Sequence, residues 1–192
     1  GDRVYFEVDD VDLTDGYYTI GTIDAANSPL TGSVPQTWYS YAPLTGSNSW
    51  RNPDTWTLDP SGTLLTGPAD EIPGADDKVV ILNGKNVNID TIAMTVVSVE
   101  VRNGGVLDLD LSGVYDFGLI TGAGRIRLQD DNFPTGDASD FATKGTLEFY
   151  GGSYDITSNY EFNNVIVNLD NSANTLTLLN DLVMNGDFSI EN

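Results

Sequence analysis

The sequence predicts an all-β chain whose C-terminal part coils into a right-handed parallel β-helix, a β-solenoid, and three observations carry that prediction. The acidic residues are 23 Asp and only 6 Glu, and Asp favours turns and caps where Glu favours helix interiors. Thr, Val, Ile and the aromatics suit pleated strands, while 20 Gly and frequent Asn supply the positive-φ positions of tight turns. Above the strand alternation, apolar pairs recur about every 20 residues, at Val87/Ile89, Leu107/Leu109, Ile126/Leu128, Leu147/Phe149, Val165/Val167 and Phe188/Ile190. One coil of two or three short strands cannot bury its own inward face, so neighbouring coils must stack to close a core. Five coils at about 4.8 Å each make a body roughly 24 Å long. A sandwich is the competing architecture, since its turns are also regularly spaced, and the recurrence of the pairs in register favours the solenoid.

In chain order, Arg3–Val8 and Tyr17–Ile23 read as two strands joined by the acidic turn Asp9–Gly16, the terminal strands of a small β unit or preceding domain over residues 1–30. Residues 31–75 are rich in Pro and Gly and read as a connector, with Trp38, Trp50 and Trp56 placed to cap the first coil. Residues 76–192 read as the solenoid. Its first strands alternate at Val79/Ile81, Val87/Ile89, Val97/Val99/Val101 and Val106/Leu107/Leu109, between turns such as Asn83-Gly84 and Asn103-Gly104-Gly105. The sequence given stops at Ile190-Glu191-Asn192 directly after an apparent coil, so further coils or a domain are expected to follow.

The net charge of -21 repels nucleic acid and anionic membrane surfaces. No segment approaches the roughly 18 apolar residues of a membrane span. With no Cys and no His, thiolate and imidazole chemistry are excluded, including the common zinc sites and nucleophile–base systems. Only carboxylate chemistry remains, and glycoside hydrolysis needs two carboxyl groups about 5 to 9.5 Å apart. Asp108 and Asp110 share one strand face, but their plainer reading is a solvated outer surface opposite Leu107 and Leu109. The chain therefore reads as not an enzyme.

Calcium is the inorganic partner that this composition suits, because carboxylate and amide oxygens are its ligands. The candidates are Asp9, Asp10, Asp12 and Asp15 in one loop, and Asp130 and Asp131 in a long insertion between coils. Their alternative role is turn formation without an ion. For ligand binding, Trp38, Tyr39, Tyr41, Trp50 and Trp56 offer flat faces that stack on sugar rings, and the alternative is that they pack the cap.

Three stretches carry a family resemblance. Ser49–Trp56, Ile72–Ile81 and Gly84–Asp90 together resemble the opening segment of the extracellular module named for its eight glycines, which begins β-helical regions in large surface proteins of Bacteroidota. Ile120–Leu128, Phe133–Asp137 and Gly145–Gly151 look like the continuation in those proteins, and Tyr17–Asp24 with Ser28-Pro29-Leu30 resembles the end of a unit in proteins exported by the type IX route. The resemblance implies a non-catalytic, adhesin-like segment of a secreted or outer-surface protein, linked to attachment or gliding. Its implied partners are cell-surface or secretion-apparatus proteins, or extracellular polysaccharide. The alternative function is a carbohydrate-binding module, or the accessory β-helix of a polysaccharide-degrading enzyme.

Overall fold

The computed structural model describes residues 35–41, 48–67, 70–90, 93–109 and 113–191. The predicted strands Arg3–Val8 and Tyr17–Ile23 lie outside them. From Pro35 onward the chain forms one unit of short, mostly parallel strands stacked into about five turns of a β-solenoid. No helix among the described residues is long and apolar enough to cross a membrane.

One wall of the coil stacks Asn86–Ile89, Val106–Leu109, Arg125–Leu128, Thr146–Gly151, Asn164–Leu169 and Phe188–Glu191 in parallel. Its register aligns Val87, Leu107, Ile126, Leu147, Val165 and Phe188 in one inward row, and Ile89, Leu109, Leu128, Phe149, Val167 and Ile190 in a second. These are the pairs that the 20-residue period picks out. They occupy one sheet rather than two facing sheets, which rules out the sandwich. The first four members of each row are fully buried, as is Val165.

A second wall stacks Thr37–Ser40, Lys78–Ile81, Ser98–Val101, Val114–Thr121 and Thr135–Asp137, with Trp56–Thr57 antiparallel on Thr37–Ser40. Thr37–Ser40 thus belongs to the sheet, although it falls in the stretch that reads as a connector. Trp38, Val79, Val99 and Ile120 align as its inward row. Val97 departs from the expected alternation. It is 45% exposed, while Val96 is buried at the corner between Ala93–Thr95 and Ser98–Val101. In the next coil, Val114–Thr121 runs across both of those strands, and the alternation resets at Gly118 so that Phe117 and Ile120 are both buried. Farther on, Tyr154–Ile156 pairs with Leu176–Leu178, and Tyr160–Phe162 with Leu182–Met184.

The turns stack as closely as the strands. Gly84 donates its N–H to the Gly104 carbonyl at 3.0 Å, Asn83 Nδ2 donates to the Asn103 carbonyl at 2.9 Å, and Gly124 donates to the Val101 carbonyl at 2.8 Å. Gly122 has φ +104, and a Cβ added there would lie 2.1 Å from the Val101 carbonyl oxygen. Gly122→Ala is therefore expected to lower stability by at least about 2 kcal/mol, measured as the urea midpoint. Gly84→Ala is the control, because a Cβ there has nothing within 4 Å and meets only the backbone cost of about 1 kcal/mol. Equal losses at the two positions would contradict the close approach at Val101.

Candidate functional site

Among the described residues, buried charge concentrates on the outward face of the first wall. Asn88, Asp108, Arg127 and Glu148 occupy one row in four successive coils. Each alternates with core residues, as Asp108 does with Leu107 and Leu109, so each side chain leaves the sheet on the side away from the bore. Asp108 is nevertheless only 8% exposed and Glu148 only 1%. This corrects the expectation that Asp108 lies on a solvated surface. Asp110 lies outside the described residues.

Arg127 explains the burial. Its Nη1 donates to Asp108 Oδ2 at 2.8 Å and its Nε to Glu148 Oε2 at 3.1 Å, while its guanidinium lies 3.8 Å from the centroid of the Tyr150 ring. Tyr150 donates its hydroxyl to Asp108 Oδ1 and accepts from Gln129. Arg125 Nη1 reaches Glu148 Oε2 at 2.8 Å, and Asn168 Nδ2 reaches Oε1 at 3.1 Å. Burial pushes the Asp108 carboxyl above its usual range, and the bonds from Tyr150 and Arg127 offset this only in part. Burial and then Asp108 push the Tyr150 hydroxyl upward as well. The two carboxylates stand two coils apart, about 9.6 Å along the stack, a spacing near the upper end of the glycosidase range. Arg127 fills the interval, however, and all four carboxylate oxygens accept hydrogen bonds from the chain itself. The arrangement ties coil to coil. Sequence reading missed it because the partners lie some 20 residues apart and meet only through stacking.

The five aromatic candidates divide. Trp38, Trp50 and Trp56 are buried in the core. Trp38 Nε1 donates to Asp77 Oδ2 at 3.0 Å, and the same carboxylate accepts from the N–H of Gln36 and of Gly74, both at 2.8 Å. Trp50 and Trp56 meet edge to face at 4.7 Å, and Trp56 Nε1 donates to the Trp50 carbonyl at 2.8 Å. Trp50 also stacks on Phe117 at 6.2 Å. Its backbone pairs with Asn88, which extends the first wall by one short edge segment. Trp56 borders a cleft of about 350 Å³ that Asn52, Asp54, Thr66 and Asp70 also line. Tyr39 and Tyr41 are half-buried. The Lys85 Nζ donates to the Tyr41 carbonyl at 2.8 Å and sits 5.6 Å from the Tyr41 ring centroid.

Of the calcium candidates, Asp9, Asp10, Asp12 and Asp15 lie outside the described residues. Asp131 accepts five hydrogen bonds of 2.6–3.1 Å, from the N–H and hydroxyl groups of Thr157 and Ser158 and from the Tyr160 hydroxyl. Burial opposes the charge on Asp131, but the bonds from Thr157, Tyr160 and Ser158 outweigh it and hold the carboxyl below its usual range. Asp130 accepts from the N–H of Asp131 at 2.8 Å. Asp131 thus fastens the long insertion to the following coil. Among the described residues no group of three or more carboxylates gathers where a metal ion could be held.

Comparison with protein-family models, with curated proteins and with solved structures returns no match.

Proposed function

We propose that this chain is a non-catalytic, adhesive spacer segment of a secreted or surface-anchored bacterial protein, acting in attachment or gliding through a cell-surface or secretion-apparatus partner. The observation that carries this reading is the row Asp108–Arg127–Glu148, in which the buried charges cross-link successive coils instead of facing a substrate. A stack with rows in register and ionic ties between coils is stiff along its axis. The charge of -21 favours solubility and repels anionic surfaces, which suits an extended extracellular element without disulfides. The resemblance of Ser49–Trp56 and Ile72–Ile81 to surface-protein modules points the same way. Calcium enters through Asp9, Asp10, Asp12 and Asp15, and a melting temperature identical in calcium and in chelator removes it from the reading.

The test has two arms. Bacteria whose surface protein lacks this segment should attach several-fold less, and the purified chain should release no new reducing ends from neutral or acidic polysaccharides. Reducing ends that disappear with Asp108→Asn would overturn the non-catalytic reading. Strong binding to one polysaccharide class on a glycan array, lost in Tyr39→Ala or Tyr41→Ala, would replace adhesion through protein with carbohydrate binding.

A further inference from the structure

We propose that Asn103 is a self-modification site, where the chain converts its own side-chain amide to a carboxyl through a cyclic imide formed with the Gly104 nitrogen. This goes beyond the adhesive reading and stands on the fold alone. The described residues hold three Asn-Gly steps, Asn83-Gly84, Asn103-Gly104 and Asn185-Gly186, each with an exposed Asn. All three can close the same five-membered ring, because Gly has no side chain to hinder attack by its nitrogen on the preceding Cγ.

Hydrogen bonding separates the three. Ring closure needs a Gly N–H that can lose its proton and an Asn amide that can turn toward it. At Asn83 both groups are held: Gly84 donates its N–H to the Gly104 carbonyl at 3.0 Å, and Asn83 Nδ2 donates to the Asn103 carbonyl at 2.9 Å. At Asn185 both are held again, with the Gly186 N–H on the Asn163 carbonyl at 2.7 Å and Asn185 Nδ2 on Glu161 Oε1 at 3.1 Å. At Asn103 neither the Gly104 N–H nor the side-chain amide has a partner among the described residues. Gly105 donates to the Arg102 carbonyl at 2.7 Å, closing a turn in which Gly104 takes φ +78. The next coil turns differently, through Gly122 at φ +104, and brings no carbonyl to Gly104 as Gly104 brings one to Gly84. A cleft of about 330 Å³ opens there instead, lined in part by Asn103, Gly104, Ala123 and Arg125, and it admits water to the amide.

The step needs only water and solvent base. The Gly104 nitrogen gives its proton to hydroxide and bonds to the Asn103 Cγ. The Cγ–Nδ2 bond then breaks, and Nδ2 takes a proton from solvent and leaves as ammonia. Water adds to one of the two imide carbonyls and reopens the ring, giving aspartate or isoaspartate; nothing is oxidised or reduced. In the isoaspartate product the backbone runs through the former side chain, and the carbonyl that accepts from Asn83 becomes part of a free carboxylate. The stacked turns at Asn83 and Asn103 therefore lose a tie between coils and gain a negative charge.

The test incubates the whole chain, folded and in urea, in mildly alkaline water enriched in heavy oxygen, then digests it with trypsin in ordinary water for mass spectrometry. Cleavage after Arg102 and Arg125 isolates Asn103 in a peptide with no other Asn or Gln, and cleavage after Lys78 and Lys85 does the same for Asn83. In the folded chain Asn103 should take up heavy oxygen about tenfold faster than Asn83 or Asn185, since two hydrogen bonds must break first at each of those. In urea the three rates should converge, because the bonds that separate them are gone. The Asn103 peptide should resolve by chromatography into aspartate and isoaspartate forms. Gly104→Ala, which keeps Asn103 but hinders the attacking nitrogen, should slow the reaction several-fold in urea, where its effect on the fold plays no part. Equal rates at the three sites in the folded chain would overturn the proposal, as would an Asn103 that stays intact after the unfolded chain has half reacted. Aspartate without isoaspartate would also overturn it, since direct hydrolysis of the amide passes through no imide. None of these readouts depends on attachment or polysaccharide assays, so the adhesive reading stands or falls separately.

Discussion

Leu107→Asp is expected to unfold the solenoid. Leu107 lies mid-row between Val87 and Ile126, fully buried on a strand with a parallel neighbour on each side. Removing a buried Leu side chain costs about 2–5 kcal/mol, and a carboxylate left unpaired in the bore adds several kcal/mol more. That sum is comparable with the roughly 5–15 kcal/mol that holds a domain folded. The expected result is loss of the β-sheet circular dichroism signal at 25 °C, or at minimum a large drop in the urea midpoint. Leu107→Ala should lose only the first part and remain folded. Ile190→Asp is the positional control, because Ile190 occupies the companion row at the exposed end and should shift stability by no more than about 0.5 kcal/mol. A Leu107→Asp variant that melts like the parent would place Leu107 outside the core and reject the register on which the inward rows rest.

The contrast between these two positions also shows how far sequence reading reaches in this fold. Val87/Ile89 and the pairs after them were legible because the inward pattern is local, two apolar residues separated by one, and because each coil must match its neighbour. Periodicity says which side chains face the bore. It does not say what covers them: Leu107 and Ile190 carry the same signal, and only the stack makes one buried and the other exposed. Corners are less legible still, since Val96 and Val97 exchange roles where the chain bends. Thr37–Ser40 was hidden because its parallel partner Lys78–Ile81 lies about 40 residues farther along the chain. The outward charges were the least legible part. Asp108 between two leucines reads as surface, and nothing within its own coil announces Arg127 or Glu148. Likewise Asp131 reads as a calcium ligand until Thr157, Ser158 and Tyr160 from the following coil arrive to occupy it.

Arg127→Ala tests whether those outward charges hold the stack together. Among the described residues, the substitution removes the one side chain bonded to both Asp108 and Glu148 and uncovers a face of Tyr150. Glu148 keeps Arg125 and Asn168, whereas Asp108 keeps, among these residues, Tyr150 as a neutral donor. Breaking a buried ion pair from one side costs about 3–5 kcal/mol, because the remaining charge is left in a poor solvent. The pH dependence separates this cause from lost packing. Burial already pushes the Asp108 carboxyl above its usual range, and Arg127 is one of the groups holding it down, so in the variant its folded-state pKa rises further above the unfolded value. A group raised in this way favours the folded state most when protonated, and that contribution is lost as pH climbs through the folded pKa. The deficit of Arg127→Ala relative to the parent should therefore be full at pH 7 and shrink as pH falls toward the acid range, measured by urea unfolding of both proteins in parallel. Replacing Asp108, Arg127 and Glu148 together by Leu or Met should restore much of the loss at pH 7, since well-packed apolar residues often substitute for a buried ionic group at no net cost. A deficit that stays constant with pH and survives the triple replacement would show that Arg127 acts through its contact with Tyr150 and not through charge.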